Sequence, residues 1–128
     1  LCDWSSDVCS SDLSTVSGNL GAGIFHLDAS ARLVNATIAG NGRDGIESTD
    51  SALKLVNCTV VGNANNELFG AGGVESRGGV AVVRNTIVAG NQSNDGPVDL
   101  RGEFDGDSNN LIGSLEEPPE RLAREATS

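Results

Sequence analysis

The segment DGDSNNLIGSLE (105–116) sets oxygen-bearing side chains at metal-ligand spacing. Asp105, Asp107, Asn109 and Glu116 stand at positions 1, 3, 5 and 12 of an EF-hand calcium loop. Such a set suits Ca²⁺, a hard cation that takes oxygen ligands. Asn110, however, stands where that loop requires glycine, and no helix is signalled on either side. The segment therefore reads first as a solvated loop, with Ca²⁺ a weak candidate ligand and no other cofactor indicated. His26 is the single histidine and follows Ile24 and Phe25. It has no Cys or His partner at repeat spacing, so an exposed turn residue is expected rather than a general base or metal ligand. NAT (35–37), NCT (57–59) and NQS (91–93) match glycosylation sequons.

What positions these residues is a repeat. RLVNATIAGN (32–41), KLVNCTVVGN (54–63) and VVRNTIVAGN (82–91) align without gaps, and LSTVSGN (13–19) is a partial copy. The closing residues Asn19, Asn41, Asn63 and Asn91 are spaced 22, 22 and 28. The earlier Asn35, Asn57 and Asn85 are spaced 22 and 28, as are Gly23, Gly45 and Gly73. Landmarks sharing one period and one insertion mark a repeat architecture. The six extra residues fall within ANNELFGAG (64–72).

Within each unit the apolar residues alternate. Ala31 and Leu33 flank Arg32, Leu53 and Leu55 flank Lys54, and Ala81 and Val83 flank Val82. Period two predicts strands, here of about three to five residues between Gly, Asn and Asp. No segment carries a helical stripe. Three short strands and three turns fill 22 residues, and successive coils would stack in parallel about 4.8 Å apart. The expected inward columns are Ile24/Ile46/Val74, Leu33/Leu55/Val83 and Val16/Ile38/Val60/Val88. The predicted fold is all-β: a right-handed, single-stranded parallel β-helix of about three to four coils. Asn tolerates the left-handed turns such a stack needs, and its amide can both donate and accept along the stack. Asn19, Asn41, Asn63, Asn91, Asn35, Asn57 and Asn85 are therefore expected to form structural ladders. Replacing Leu55 with Ala is expected to be costly.

Aligned by repeat, no coil carries two acids at neighbouring strand positions beside an arginine. Asp28 stacks on Asp50 and then Gly78, Glu47 lies between Phe25 and Glu75, and Asp44 between Ala22 and Gly72. They are read as solvated turn residues, and no catalytic residue is assigned.

NATIAGN, NCTVVGN and NTIVAGN, with GAGIF and GAGGV before them, resemble bacterial right-handed β-helix repeat proteins. The final repeat, NTIVAGNQSNDGPVDLRGEFDGDSNNLIG (85–113), resembles the choice-of-anchor Q proteins and the related polymorphic outer-membrane-protein repeats, with Val98 interrupting the usual Gly-Pro-Asp. The likeness covers about residues 14–115. It implies a pectin-lyase-like fold in a secreted or surface-anchored protein, mostly without a demonstrated reaction. It also places NNLIG in a strand. Residues 116–128 fall outside it and form a Glu-, Arg- and Pro-rich tail of uncertain origin.

The opening stretch does not carry the repeat. DWSSDVCSSDL (3–13) matches, residue for residue, the in-frame translation of a common sequencing adapter. Residues 1–13 are therefore expected to be non-native and 1–12 to stand apart from the fold. With no methionine anywhere, the chain is expected to be an internal fragment. The net charge of −10 becomes −7 without residues 1–13, and Cys58 is then the remaining thiol, too little for a disulfide framework. Cys58 is expected to be a small buried or half-buried side chain in a strand. The acidic balance disfavours nucleic acid, and no apolar run is long enough to span a membrane.

The preferred reading is a non-catalytic extracellular or cell-surface module, structural or adhesin-like, with polysaccharides or cell-surface proteins as partners. The alternative is a piece of a pectin-lyase-like polysaccharide lyase or hydrolase whose site lies in other coils. An uncapped stack of so few coils is expected to self-associate end to end.

Overall fold

The computed structural model describes residues 2–3, 8–66, 70–94, 96–106 and 109–116. Among these the protein is all-β, with no helix. No helix is therefore long and apolar enough to cross a membrane. Each of the first two full repeats gives three short strands: Ile24–Leu27, Ser30–Val34 and Thr37–Ala39, then Ile46–Thr49, Leu53–Val56 and Thr59–Val61. In the next repeat the first two strands merge into Val74–Arg84, followed by Ile87–Ala89. Asp28, Asp50 and Gly78 all take left-handed φ, of 52°, 49° and 71°, at the corresponding position of their repeats, and the register of Val74–Arg84 against Leu100–Gly106 shifts between Ser76 and Ala81.

Strands of successive repeats lie side by side in parallel. One sheet runs through Ser30–Val34, Leu53–Val56, Val74–Arg84 and Leu100–Gly106, with Ile24–Leu27 and Ile46–Thr49 joining it at Val74–Arg84. A second sheet stacks Thr15–Ser17, Thr37–Ala39, Thr59–Val61, Ile87–Ala89 and Leu111–Ile112. A small antiparallel hairpin pairs Gln92–Ser93 with Gly96–Pro97.

The register places like over like. Ile24 pairs with Ile46 and Ile46 with Val74, so the insertion at 64–72 leaves that column unshifted. Residues 67–69 of the insertion lie outside the described residues. Leu33, Leu55 and Val83 form a second column, and Val16, Ile38, Val60 and Val88 a third, which Ile112 continues. Leu55, Val60, Val74, Val83 and Val88 are wholly buried. Phe104 extends the Ala31/Leu53/Ala81 column and fills the core beside it. Alternation puts Arg32 and Lys54 on the outer face of the same strands.

One expectation fails. Val8–Asp12 does not stand apart from the fold, since it pairs in parallel with Ser30–Val34 over five positions. Cys2–Asp3 folds back against it in antiparallel fashion. The physical reason is that a strand edge offers backbone N–H and C=O groups to any extended segment, whatever its side chains. Trp4 lies outside the described residues.

Gly102 shows how tightly the repeats stack. Its φ is 111°, and a Cβ there would run into the Ser76 carbonyl of the neighbouring strand. Gly102→Ala is expected to cost at least about 1–3 kcal/mol, seen as a lower urea midpoint.

Candidate functional site

Three polar arrangements arise from the stacking. The first is a buried amide ladder. The Gly before each closing Asn takes positive φ (Gly18, Gly40, Gly62 and Gly90, 65–70°), which turns the Asn side chain inward. Asn19 Nδ2 donates to Asn41 Oδ1 at 2.8 Å, Asn41 to Asn63 at 2.8 Å and Asn63 to Asn91 at 2.9 Å. Each Oδ1 also accepts the backbone N–H of the Asn in the preceding repeat. The ladder closes on a residue not foreseen from the sequence: Asn91 donates to Asp99 Oδ1 at 2.7 Å. A second buried line runs beside it, with Cys58 N donating to Thr86 Oγ1 and Thr86 N to Asn110 Oδ1. Cys58 sits in the turn between two strands rather than in one, and burial pushes its thiol pKa up, which keeps it protonated and unreactive.

The other asparagines make the turns themselves. Asn35, Asn57, Asn85 and Asn109 take left-handed φ of 55°, 55°, 48° and 71°. Asn85 Nδ2 donates to Asn57 Oδ1 at 2.6 Å on the surface, and Asn35 Nδ2 to Asp12 Oδ1 at 3.3 Å. Beside this row, Thr59, Ile87 and Leu111 stand in register on the outer face of the second sheet. Ile87 is 41 % exposed and Leu111 60 %. Both rows, Asn57, Asn85 and Asn109 and Thr59, Ile87 and Leu111, line an open cleft of about 530 Å³.

The third arrangement corrects the reading of the acids. Asp44, Glu47 and Glu75 are buried, not solvated. Glu47 and Glu75 are in register on adjacent strands, and Arg77 Nε donates to Glu75 Oε1 at 2.8 Å. Arg43 lies 3.9 Å from Glu47. Asp44 Oδ1 accepts from Asn65 Nδ2 at 2.7 Å and from the Gly72 N–H at 2.8 Å, so it holds both flanks of the insertion. Burial raises the Glu75 pKa to about 7, opposed by the Arg77 hydrogen bond and aided by Asp44. Glu47 and Glu75, on successive repeats, therefore each lie beside an arginine. The alignment missed this because Asp44 and Arg43 precede the strand and Arg77 lies two residues past Glu75.

His26 is likewise buried, not exposed. It points inward from Ile24–Leu27, its Nδ1 lies 3.3 Å from the Ala29 carbonyl, and burial lowers its pKa. The calcium-loop residues are not gathered into one loop. Asp105 lies in Leu100–Gly106 opposite Val82, Asn109 in a left-handed turn, and Glu116 in a strand opposite Arg101. Asp107 lies outside the described residues. Among the described residues no group of three or more His, Cys, Asp or Glu side chains is arranged to hold a metal ion.

These features define an all-β protein of stacked parallel repeats that carries, among the described residues, an open cleft and a buried acid–arginine cluster. The chain matches no protein-family model, no curated protein and no solved structure.

Proposed function

We propose that the protein is a right-handed parallel β-helix of the pectin-lyase-like kind, serving as a non-catalytic binding module at a cell surface or outside the cell. The observation that carries this reading is the cleft: an amide row and an apolar row run side by side along successive repeats. Amides offer both donors and acceptors to hydroxyl groups, and Ile87 and Leu111 offer an apolar strip to a sugar face or a peptide side chain. Asn85 with Ile87 and Asn109 with Leu111 present the same pair of contacts on two successive strands, which favours an extended ligand, a glycan chain or a segment of a surface protein. The test is a titration against a panel of oligosaccharides and extended peptides. Asn85→Gly keeps the left-handed turn and removes the amide, and Ile87→Glu interrupts the apolar strip. Both are expected to weaken binding at least about tenfold without altering the fold. Equal binding by wild type and both variants would remove the cleft from the proposal.

One observation favours the enzymatic alternative. Glu75, with its pKa near 7, beside Asp44 and two arginines has the composition of an acid–base site in a polysaccharide lyase or hydrolase. Its Asp44 and Glu75 side chains are closed to substrate, at 0 % and 2 % exposure, which ranks it second. Release of reducing ends or unsaturated products from a polysaccharide panel, abolished in Glu75→Gln, would reverse that order.

A further inference from the structure

We infer that Asp44 and Glu75 share a single proton across the junction of two repeats, and that this proton sets how firmly the junction is held. The geometry carries the inference. Asp44 and Glu75 are both almost fully buried, and one oxygen of each is committed: Asp44 Oδ1 to Asn65 and Gly72, Glu75 Oε1 to Arg77. The other two, Asp44 Oδ2 and Glu75 Oε2, have no hydrogen-bond partner. Both carboxyls belong to one junction: Gly72, which donates to Asp44 Oδ1, lies three residues before Glu75, and Glu47, three residues after Asp44, is in register with Glu75. Two buried carboxylates facing one another repel, but a carboxylic acid facing a carboxylate makes a strong charge-assisted hydrogen bond. One proton therefore satisfies both orphaned oxygens at once.

The surrounding charges agree. Glu47 flanks Glu75 from the neighbouring strand, Arg101 flanks it from the other side, Arg77 lies on its own strand, and Arg43 and Asp44 enter from the preceding turn. With the proton in place, Arg43 and Arg77 face the charges of Glu47 and the shared pair. Without it, the cluster gains a negative charge with no water to solvate it.

The sign follows from linkage. The folded Glu75 pKa, about 7, lies above its ordinary value of 4.5. The contribution to stability is complete below the ordinary value and is lost as the pH rises through about 7. Asp44 clamps the flanks of the 64–72 insertion, so the loss falls on Asn65 and Gly72 first. From about pH 6 to about pH 8, opening of this junction is expected to become roughly tenfold more favourable.

The experiment uses the full chain. Carboxyl ¹³C resonances of Glu75 and Asp44 are followed against pH, together with amide exchange at Gly72 corrected for its intrinsic rate, in wild type, Glu75→Gln and Asp44→Asn. Glu75 is expected to titrate near neutral with the Asp44 carbon moving at the same midpoint. Gly72 exchange is expected to rise roughly tenfold over that window in wild type and to stay flat in Glu75→Gln. A Glu75 midpoint in the ordinary carboxylate range, an Asp44 carbon that does not follow it, or an unchanged exchange slope in Glu75→Gln would overturn the proposal. If Glu75→Gln fails to fold, the two carbon titrations in wild type decide the matter alone.

Discussion

Asn63→Leu is expected to destabilise the protein by about 3–5 kcal/mol, a large part of the roughly 5–15 kcal/mol that holds a domain together. Leu matches Asn in side-chain heavy-atom count and branching, so the main cost is the loss of hydrogen bonds rather than a cavity. Asn63 is wholly buried and donates to Asn91 Oδ1 and to the Ile38 and Val61 carbonyls. Its Oδ1 accepts both the backbone N–H and the side-chain amide of Asn41. Leu would strand the backbone N–H of Asn41 and one donor of its side-chain amide, each worth about 1–3 kcal/mol and not strictly additive, while Asn91 Oδ1 keeps the backbone N–H of position 63. Asn85→Gly is the control. It breaks an exposed amide pair in the same direction of stacking and is expected to cost less than about 1 kcal/mol. Urea denaturation with an unchanged m-value would report both; similar costs for the two would show that the buried ladder is not special.

Leu55→Ala is expected to cost about 2–5 kcal/mol. Leu55 has no exposed surface and sits between Leu33 and Val83, with repeats packed on both sides. Strands stacked in register cannot close over a lost isobutyl group without breaking their hydrogen bonds, so most of the cavity persists. Leu111→Ala removes the same side chain from a 60 % exposed position and is expected to change stability by less than about 0.5 kcal/mol. Thermal or urea melts of the two variants together would separate burial from composition. A cost below about 1 kcal/mol at Leu55 would mean that the column is not packed.

The strands and columns were legible because a repeat states its register several times over. Once Asn41, Asn63 and Asn91 align, every position between them is assigned, and alternation then fixes which face each occupies. Asp99 was not legible as the end of the ladder, because it replaces Asn with Asp and follows Asn91 by 8 residues rather than 22 or 28. The acid cluster was hidden for a different reason. Glu47 and Glu75 alternate outward, which in an isolated sheet means solvent. Here both are buried all the same, next to the junction where Asp44 holds the flanks of the insertion, an event of tertiary packing with no signature in the period. His26 could have been found, since it shares the parity of the inward Ile24. The attachment of Val8–Asp12 could not, because backbone pairing at an edge leaves no pattern in the side chains that it accepts.

The amide ladder also works as a ruler. From Asn19 to Asn91 each rung is satisfied by another amide one full turn of chain away, so this part of the stack can change length only in whole steps. Excising residues 42–63 would bring Asn41 onto Asn91 and leave no rung open, whereas removing half as many would strand two rungs and turn every inward column to the outside. Between rungs the rule relaxes: the six extra residues within 64–72 pass without shifting Ile46 from Val74. Duplication and loss of complete units, with free variation confined to one corner, is the mode of change this architecture permits.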